Sequence, residues 1–398
     1  MADDNATVST DVLVIGGGIA GLWLLARLRK AGYRALLAER QALGHGQTRF
    51  AQGIIHGGTK YALTGTVSDS ARAVAAMPGR WRACLEGSGE LDMSAVRLLA
   101  SHQYLWSTAK LASRMAGFFA GQAMRSRVEP VEGEARPAVL RDAGFKGRVY
   151  RLDEPVLDVA SLLDALIARS SDALLVADTV HLTDGEAPEV VLSTAGATLR
   201  VRTRRVVLAA GEGNAELLAA LGRQTPAMQR RPLHMVLVRG PLPDDLYAHC
   251  LGASATPRLT VTSHRDASGE RVWYLGGDLA EQGAKRSRDE QITAARAELA
   301  ELLPWVDLRD CQWATVQIDR AEPRQPAGRR PEGVFAEETD GVITVWPTKL
   351  ALAPVLADRV LGLLGDARIA SAGAAESLPE WPHPARAPLP WQEELQWS

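Results

Sequence analysis

The chain has 398 residues, 46% apolar and 23% charged, the ordinary mix of a globular protein with room for about two domains. A formal net charge of -2, with arginines interleaved among acids, gives no electrostatic reason to bind nucleic acid or an anionic membrane. Three cysteines, Cys84, Cys250 and Cys311, include no C-x-x-C pair, so zinc, iron–sulfur and dithiol chemistry lack a ligand set and no metal is expected.

Met1 to Thr10 is acidic and polar, unlike the basic start of a signal peptide. Every apolar stretch is broken well before the roughly 20 residues of a membrane span, so a cytoplasmic protein is expected. Asp11–Ile15 reads as a buried strand, followed at once by Gly16-Gly17-Gly18. Ile19–Ala31 then reads as a helix stopped by Gly32, and Arg34–Ala38 as a second strand ending in Glu39-Arg40. Residues 44–66 are glycine-rich and turn-prone, with unusual apolar and histidine content. From Val67 to about Gly147 the pattern is mostly helical, Leu105–Met124 included, and Leu157–Ser170 is an amphipathic helix introduced by Asp158.

Residues 173–210 alternate with the strand period, turn at Thr183-Asp-Gly185 and Ala195-Gly196, and close on Arg205-Val-Val-Leu-Ala-Ala-Gly211. A second strand-rich block holds Leu233–Arg239, Arg258–Ser263, Arg271–Gly276 and Ala314–Ile318, with a helix over Asp289–Leu303. Gly341–Trp346 is a last strand and Leu352–Leu364 a last helix. Leu378–Ser398, rich in proline and tryptophan, reads as an irregular extension.

Gly16-x-Gly18-x-x-Gly21 alone is a weak signal; its setting strengthens it. A strand precedes it, a helix follows, and Glu39 stands 18 residues beyond Gly21 at the next strand's end. Gly16 permits the tight turn, Gly18 the approach of a diphosphate, and Gly21 close helix–strand packing. The helix N-terminus offers positive dipole and N–H donors, and Glu39 can accept from ribose hydroxyls. Ile15, Ile19, Ala20 and Arg40 flank these positions. The fingerprint leaves FAD and NAD equally open.

Asp11-x-x-x-Ile-Gly-Gly-Gly-Ile-Ala-Gly-Leu with Glu39-Arg40 resembles the opening of the flavoenzymes related to D-amino-acid oxidase. Arg205–Gly211 resembles the strand by which those proteins return to their FAD domain, and Gly341–Lys349 with Leu352–Leu364 their final strand and helix. The resemblance, running in order from residue 11 to about 365, implies FAD, with Val180, Ala210, Gly211, Thr348 and Lys349 among its contacts. In that fold the last helix points its N-terminus at the flavin pyrimidine carbonyls. Gln47-Thr-Arg-Phe-Ala-Gln-Gly-Ile-Ile-His-Gly-Gly-Thr-Lys-Tyr61 is similar to the flavin-facing loop of FAD-linked glycerol-3-phosphate and L-2-hydroxyglutarate dehydrogenases. By that likeness Gln47, Thr48, Ala51, Gln52, Gly53 and Ile54 would contact the cofactor, and His56 would stand near the reacting atoms. Trp346-Pro347-Thr348-Lys349 departs from the glycine-rich turn of the amino-acid oxidase branch and leans towards the glycerol-3-phosphate side.

An alcohol does not shed its proton unaided, and a histidine near neutral pKa suits the task, which makes His56 the first candidate base. The competing reading has it satisfying loop carbonyls. Lys60 and Tyr61, on the same loop, could polarise substrate or anchor the loop. By resemblance, Arg320, with Arg324 second, would clamp a substrate carboxylate; a surface ion pair is the alternative. His264 and His234 border strands of a sheet that, in this family, roofs the substrate pocket, and each reads as a polar strand-end residue ahead of a catalyst. Lys349 would be a flavin- or substrate-contacting cation, with a capping residue on the last helix as the alternative. Asp153 and Glu154 read as a solvated turn and Asp158 as a helix N-cap, which sets glycosidase chemistry aside. Trp273 and Tyr274 fit either a pocket wall or a buried sheet.

The expected fold is α/β: an FAD-binding Rossmann-like domain of the glutathione-reductase type, interleaved with an α+β substrate domain containing a mixed or antiparallel sheet. The FAD domain would take residues 1–75, 150–225 and 320–375, the substrate domain 76–149 and 226–319, and the tail 376–398. The expected reaction moves a hydride from a small 2-hydroxy acid or polyol phosphate to FAD, with oxygen, a quinone or a carrier protein as the final acceptor. An amine or amino-acid oxidase, and a flavin-binding protein without turnover, are the rivals.

Overall fold

The computed structural model describes residues 6–58, 69–111, 128–183, 188–252, 256–365 and 378–398. Its first sheet is built around β1 (Ala6–Ile15), which runs parallel between β2 (Ala35–Glu39) and β11 (Ala197–Leu208). β8 (Leu174–Val176) extends the sheet beyond β2, and β18 (Val342–Trp346) lies parallel to β11. β17 (Phe335–Thr339) closes that edge antiparallel, while β9 (Thr179–Leu182) and β10 (Glu189–Thr194) form an antiparallel flap on β11. Val12, Leu13 and Val14 are fully buried, as expected of a parallel strand covered on both faces.

Seven helices are described. α1 (Ile19–Lys30) buries Leu22, Trp23, Leu24 and Leu25 and packs on α3 (Val159–Ala168) and α7 (Ala353–Leu364). α2 (Asp69–Leu85) joins this layer through Trp81, whose ring lies 4.6 Å from that of Trp23 and whose Nε1 donates to Ala351 O at 2.9 Å. Asp158 caps α3 as expected, accepting from Ala160 N at 3.0 Å. α4 (Asn214–Ala220) follows β11, and α5 (Asp278–Gln282) and α6 (Arg288–Leu302) pack on the second sheet.

That second sheet runs β16 (Gln312–Pro323), β12 (Met228–Arg239), β15 (Arg271–Gly276), β14 (Leu259–Arg265), β13 (Ala248–Cys250), β4 (Gln103–Trp106), β6 (Val149–Leu152) and β5 (Val128–Val131). Only the β13–β4 pair is parallel, so the sheet is mixed. β3 (Leu98–Ala100) pairs with β7 (Val156–Leu157).

The helical reading of Val67–Gly147 is corrected. Only 69–85 is α-helix among its described residues; Leu98–Ala100, Gln103–Trp106 and Val128–Val131 are strands. Their partners β7, β13 and β6 lie far along the chain, and such pairing overrides local helical periodicity. The chain also passes between the two sheets at other points than 150 and 320. β6 belongs to the second sheet, and β16 runs through Arg320 to Pro323 without a break. The Ala195-Gly196 turn is present, with Gly196 at φ +85, whereas residues 184–187 lie outside the described set. The tail is irregular apart from a single turn at Pro390–Gln392, yet Trp381, Ala387, Leu389 and Trp391 are buried.

Candidate active site

The turn between β1 and α1 admits no side chains at its key points. Gly16 has φ +110, and a Cβ there would meet Ala209 O at 2.6 Å; one on Gly21 would lie 1.9 Å from Gly16 O. Gly18 caps α1, and a Cβ there would stand 3.2 Å from Thr48 Oγ1, which accepts from Ile19 N at 3.0 Å. Ile15 ends β1, and Ile19 and Ala20 are buried in the first turn of α1. Glu39 closes β2, its carboxylate accepting from Gly17 N at 2.5 Å and Gln41 N at 2.8 Å. Gly211, at φ +60 just past Ala210, faces the same end of the sheet, and Gln47 donates to Ala321 O at 3.2 Å. A helix N-terminus, a backbone cleared of Cβ atoms and a half-exposed acid at the neighbouring strand tip suit a diphosphate and its ribose. Arg40 points elsewhere, being exposed and paired with Glu216 at 3.3 Å. Val180 sits half-buried in the β9–β10 flap opposite Leu192.

Beyond Thr48 the chain is zipped antiparallel to residues 154–157. Leu157 N donates to Gly53 O at 2.9 Å, and Ile55 N to Pro155 O at 2.9 Å. Gly53, at φ +75, leaves no room for a Cβ, which would lie 2.0 Å from Leu157 O. This pairing brings His56 to Glu154, with Nδ1 3.5 Å from Oε2. Glu154 Oε1 accepts from Gly57 N at 2.7 Å, and Oε2 accepts from the amide of Gln103. Burial opposes ionisation of this carboxyl, but the hydrogen bond and charge of His56, then His249 and Gly57 N, outweigh it and pull its pKa down to about 2. The His249 ring is stacked 5.6 Å from His56, and its Nδ1 lies 2.8 Å from Thr260 Oγ1.

A cavity of about 270 Å³ opens here. Its wall joins Ala51, Gln52, Gly53, Ile54, His56, Glu154 and His249 to Arg320, Arg330, Thr348 and Lys349. Leu105, Leu152, Leu233, Met235 and Ile318 supply apolar surface. Arg320, on β16, reaches Glu281 at 3.3 Å, and Arg231 contacts Glu281 at 3.4 Å and Glu322 at 3.2 Å. Burial, reinforced by Arg231 and Arg330, pushes the Arg320 guanidinium down to about 10 despite these two acids. Among the described lining residues, Arg320, Arg330 and Lys349 stand against Glu154 and Glu281, an excess of one positive charge, which favours an anion. Thr348, at φ +62, ties its hydroxyl to Gly333 O at 3.1 Å, and Lys349 opens the turn leading into α7.

A family model described as FAD dependent oxidoreductase (DAO) matches residues 11–347. The chain belongs to the DAO family of FAD-dependent oxidoreductases. A probable FAD-dependent oxidoreductase of Pseudomonas aeruginosa, PA4991, is 50% identical over 390 residues, covering 97% of this chain and 98% of that protein. Its crystal structure matches with a TM-score of 0.83 at 47% identity, over 97% and 98% of the two chains. Glycine oxidase from Geobacillus kaustophilus shares the fold at 18% identity and TM-score 0.64, over 91% of this chain and 96% of its own. Glycerol-3-phosphate dehydrogenase 1 of Mycobacterium tuberculosis is 29% identical over 185 residues, 43% of this chain and 34% of that protein. These relatives carry the family and its FAD, not a branch within it.

Several residues singled out in this FAD-dependent oxidoreductase lie away from the cavity. His264 is fully buried, with its ring stacked 3.6 Å from Trp391 and its pKa pushed down to about 3 by burial. It packs the sheet against the tail and is no candidate for proton transfer. His234 points to the opposite face of β12 from its cavity-lining neighbours Leu233 and Met235, towards Gly283 O at 3.2 Å, and burial lowers its pKa. Trp273 and Tyr274 are wholly buried sheet residues, and Arg324 is exposed outside the cavity. Lys60 and Tyr61 fall outside the described residues. Glu154 is corrected from a solvated turn to a buried carboxylate, while Asp153 beside it is exposed and pairs with Arg82 at 2.5 Å. His249, Arg330 and Glu154 had no local signal, because each reaches the cavity through long-range pairing or a loop. Among the described residues, no cluster of three His, Cys, Asp or Glu is placed to hold a metal ion, and no helix is long and apolar enough to cross a membrane.

Proposed function

We propose that the protein oxidises a small acid, a 2-hydroxy acid or a polyol phosphate, in the cavity shared by His56 and Arg320. One observation carries this reading: a single cavity wall combines a histidine backed by an ionised carboxylate with an excess of cationic side chains over carboxylates. In this reading FAD lies along the first sheet, over residues 16–21 and 47–54, and the substrate under the second. Bound FAD supplies the acceptor for a hydride from the substrate carbon. Arg320, with Arg330 beside it, binds the substrate carboxylate or phosphate and sets its orientation. His56 takes the hydroxyl proton. Its Nδ1 faces Glu154, which assigns Nε2 to the substrate, and the carboxylate offsets the imidazolium that forms. The leucines, Met235 and Ile318 keep water from the reacting carbon.

A second reading, oxidation of an amine or amino acid, is favoured by the full-length likeness to glycine oxidase, since an amino acid offers Arg320 the same carboxylate. An anaerobic screen following bleaching of the bound flavin separates the two. Bleaching by hydroxy acids or polyol phosphates supports the first reading; bleaching by amines alone overturns it.

A further inference from the structure

The last 21 residues form a strap that touches the segment between the glycine turn and the cavity at successive points. At one end Leu43 is held between Ala385 O and Ala387 N, at 2.8 and 2.9 Å. Leu43 in turn packs on the glycine turn, where a Cβ added to Gly17 would strike its Cδ2 at 2.6 Å. Midway, Arg49 makes a two-pronged pair with Glu393 at 2.7 and 2.8 Å and a further bond to Pro388 O at 3.3 Å. Arg49 adjoins Thr48, whose hydroxyl sits at the N-terminus of α1.

At the far end Trp391 touches Tyr274, whose carbonyl holds Gln52, and reaches the second group that holds it, Thr262, through His264. Its ring stacks on His264 at 3.6 Å and meets Tyr274 edge-on at 5.5 Å. The Gln52 amide donates to Tyr274 O at 3.0 Å and to Thr262 Oγ1 at 3.3 Å, and Thr262 Oγ1 lies 3.0 Å from His264 Nε2. Residues 43–53 contain no α-helix and no strand, only turns over 44–47 and a single helical turn at Thr48–Phe50. An irregular segment loses much conformational entropy on binding a cofactor unless it is ordered beforehand.

We propose that Trp391 and Glu393 are positioning residues, through which the C-terminal strap pre-orders residues 43–52 to receive FAD. The inference rests on the placement of FAD along residues 16–21 and 47–54. Trp397 is the internal control. It belongs to the same strap but lies against Arg239, 4.2 Å from its guanidinium, next to the Ser398–Trp313 pairing and away from residues 43–52.

The test is FAD affinity, measured by titrating apoprotein and following flavin fluorescence, together with the visible circular dichroism of the bound flavin. Glu393→Gln and Trp391→Ala should each weaken FAD binding about tenfold or more, the scale of a lost charge-assisted fork. Trp391→Phe should restore affinity and spectrum, and Trp397→Ala should leave both unchanged. Equal loosening by Trp397→Ala and Trp391→Ala would overturn the proposal, because the strap would then act as a general clamp. So would folded Glu393→Gln and Trp391→Ala proteins with the parent's affinity and spectrum. If Trp391→Ala does not fold, Glu393→Gln against Trp397→Ala decides the matter. Gly18→Val separates the underlying placement: full flavin retention there removes the FAD position itself, whereas its loss beside unaffected strap variants removes only the strap's role.

Discussion

Replacing Glu154 by Gln removes one buried negative charge and changes the volume of the side chain little. The carboxyl is held at about 2 against an ordinary 4.5. At about 1.4 kcal/mol per tenfold, that displacement amounts to about 3 kcal/mol of folding stability. Because the folded-state value is depressed, the contribution is complete above about pH 4.5 and is lost as pH falls towards 2. The amide can still accept from Gly57 N, but its NH₂ then faces the NH₂ of Gln103, so a donor is left unsatisfied as well. Denaturant unfolding at a series of pH values should show the variant less stable at neutral pH by up to about 3 kcal/mol, with the two curves converging under acid. Stopped-flow reduction of the flavin should slow about tenfold or more, and the rising limb of its pH profile should move to lower pH, since the carboxylate that favours the His56 imidazolium is gone. A Gln variant with the parent's midpoint at neutral pH and an unchanged reduction profile would refute both the buried charge and its assigned part in proton transfer.

His56→Ala should keep its flavin yet reduce it about a hundredfold more slowly, and an unchanged reduction rate would remove His56 from the mechanism. Arg320→Met should raise the Kd of a carboxylate substrate or inhibitor about thirtyfold, from loss of a charged hydrogen-bonding partner, with Arg320→Lys recovering only part of it; equal affinity in the Met variant would move the anion site elsewhere. His264→Phe should make the protein less acid-sensitive. The buried neutral ring, held down to about 3, costs stability progressively as pH falls below the ordinary 6.5. Denaturant midpoints that fall with acid as steeply in the variant as in the parent would count against that burial.

The junctions of the β1–α1–β2 unit were legible almost to the residue, because their signals are local, although β1 begins at Ala6 and not at Asp11. Apolar runs of strand length, glycines at fixed spacing and a terminal acid all sit within residues 11–39. Arg320 and His56 could be nominated, yet only the fold places them on one cavity wall. Glu154 illustrates the opposite case. Flanked by Asp153 and Pro155 it looks like any exposed turn, and its burial depends on Gly57 and on Gln103 of β4, donors that reach it through chain reversal. The burial of His264 was illegible for a similar reason: its cover, Trp391, is more than a hundred residues on, in a tail without periodicity. Residues 98–106 were read as helix because their β-partners cannot be seen locally.

The reaction proposed for His56 and Arg320 requires FAD to lie beside them, and a crystal structure of the yellow holoprotein tests that directly. The diphosphate is expected over the Gly16–Gly21 turn with Glu39 turned to the ribose hydroxyls, and the flavin ring beside Gln52, Gly53 and Lys349, its N5 facing the space between His56 and Arg320. Flavin density outside this cavity, or a ring whose reactive face is turned away from both side chains, would contradict the assignment.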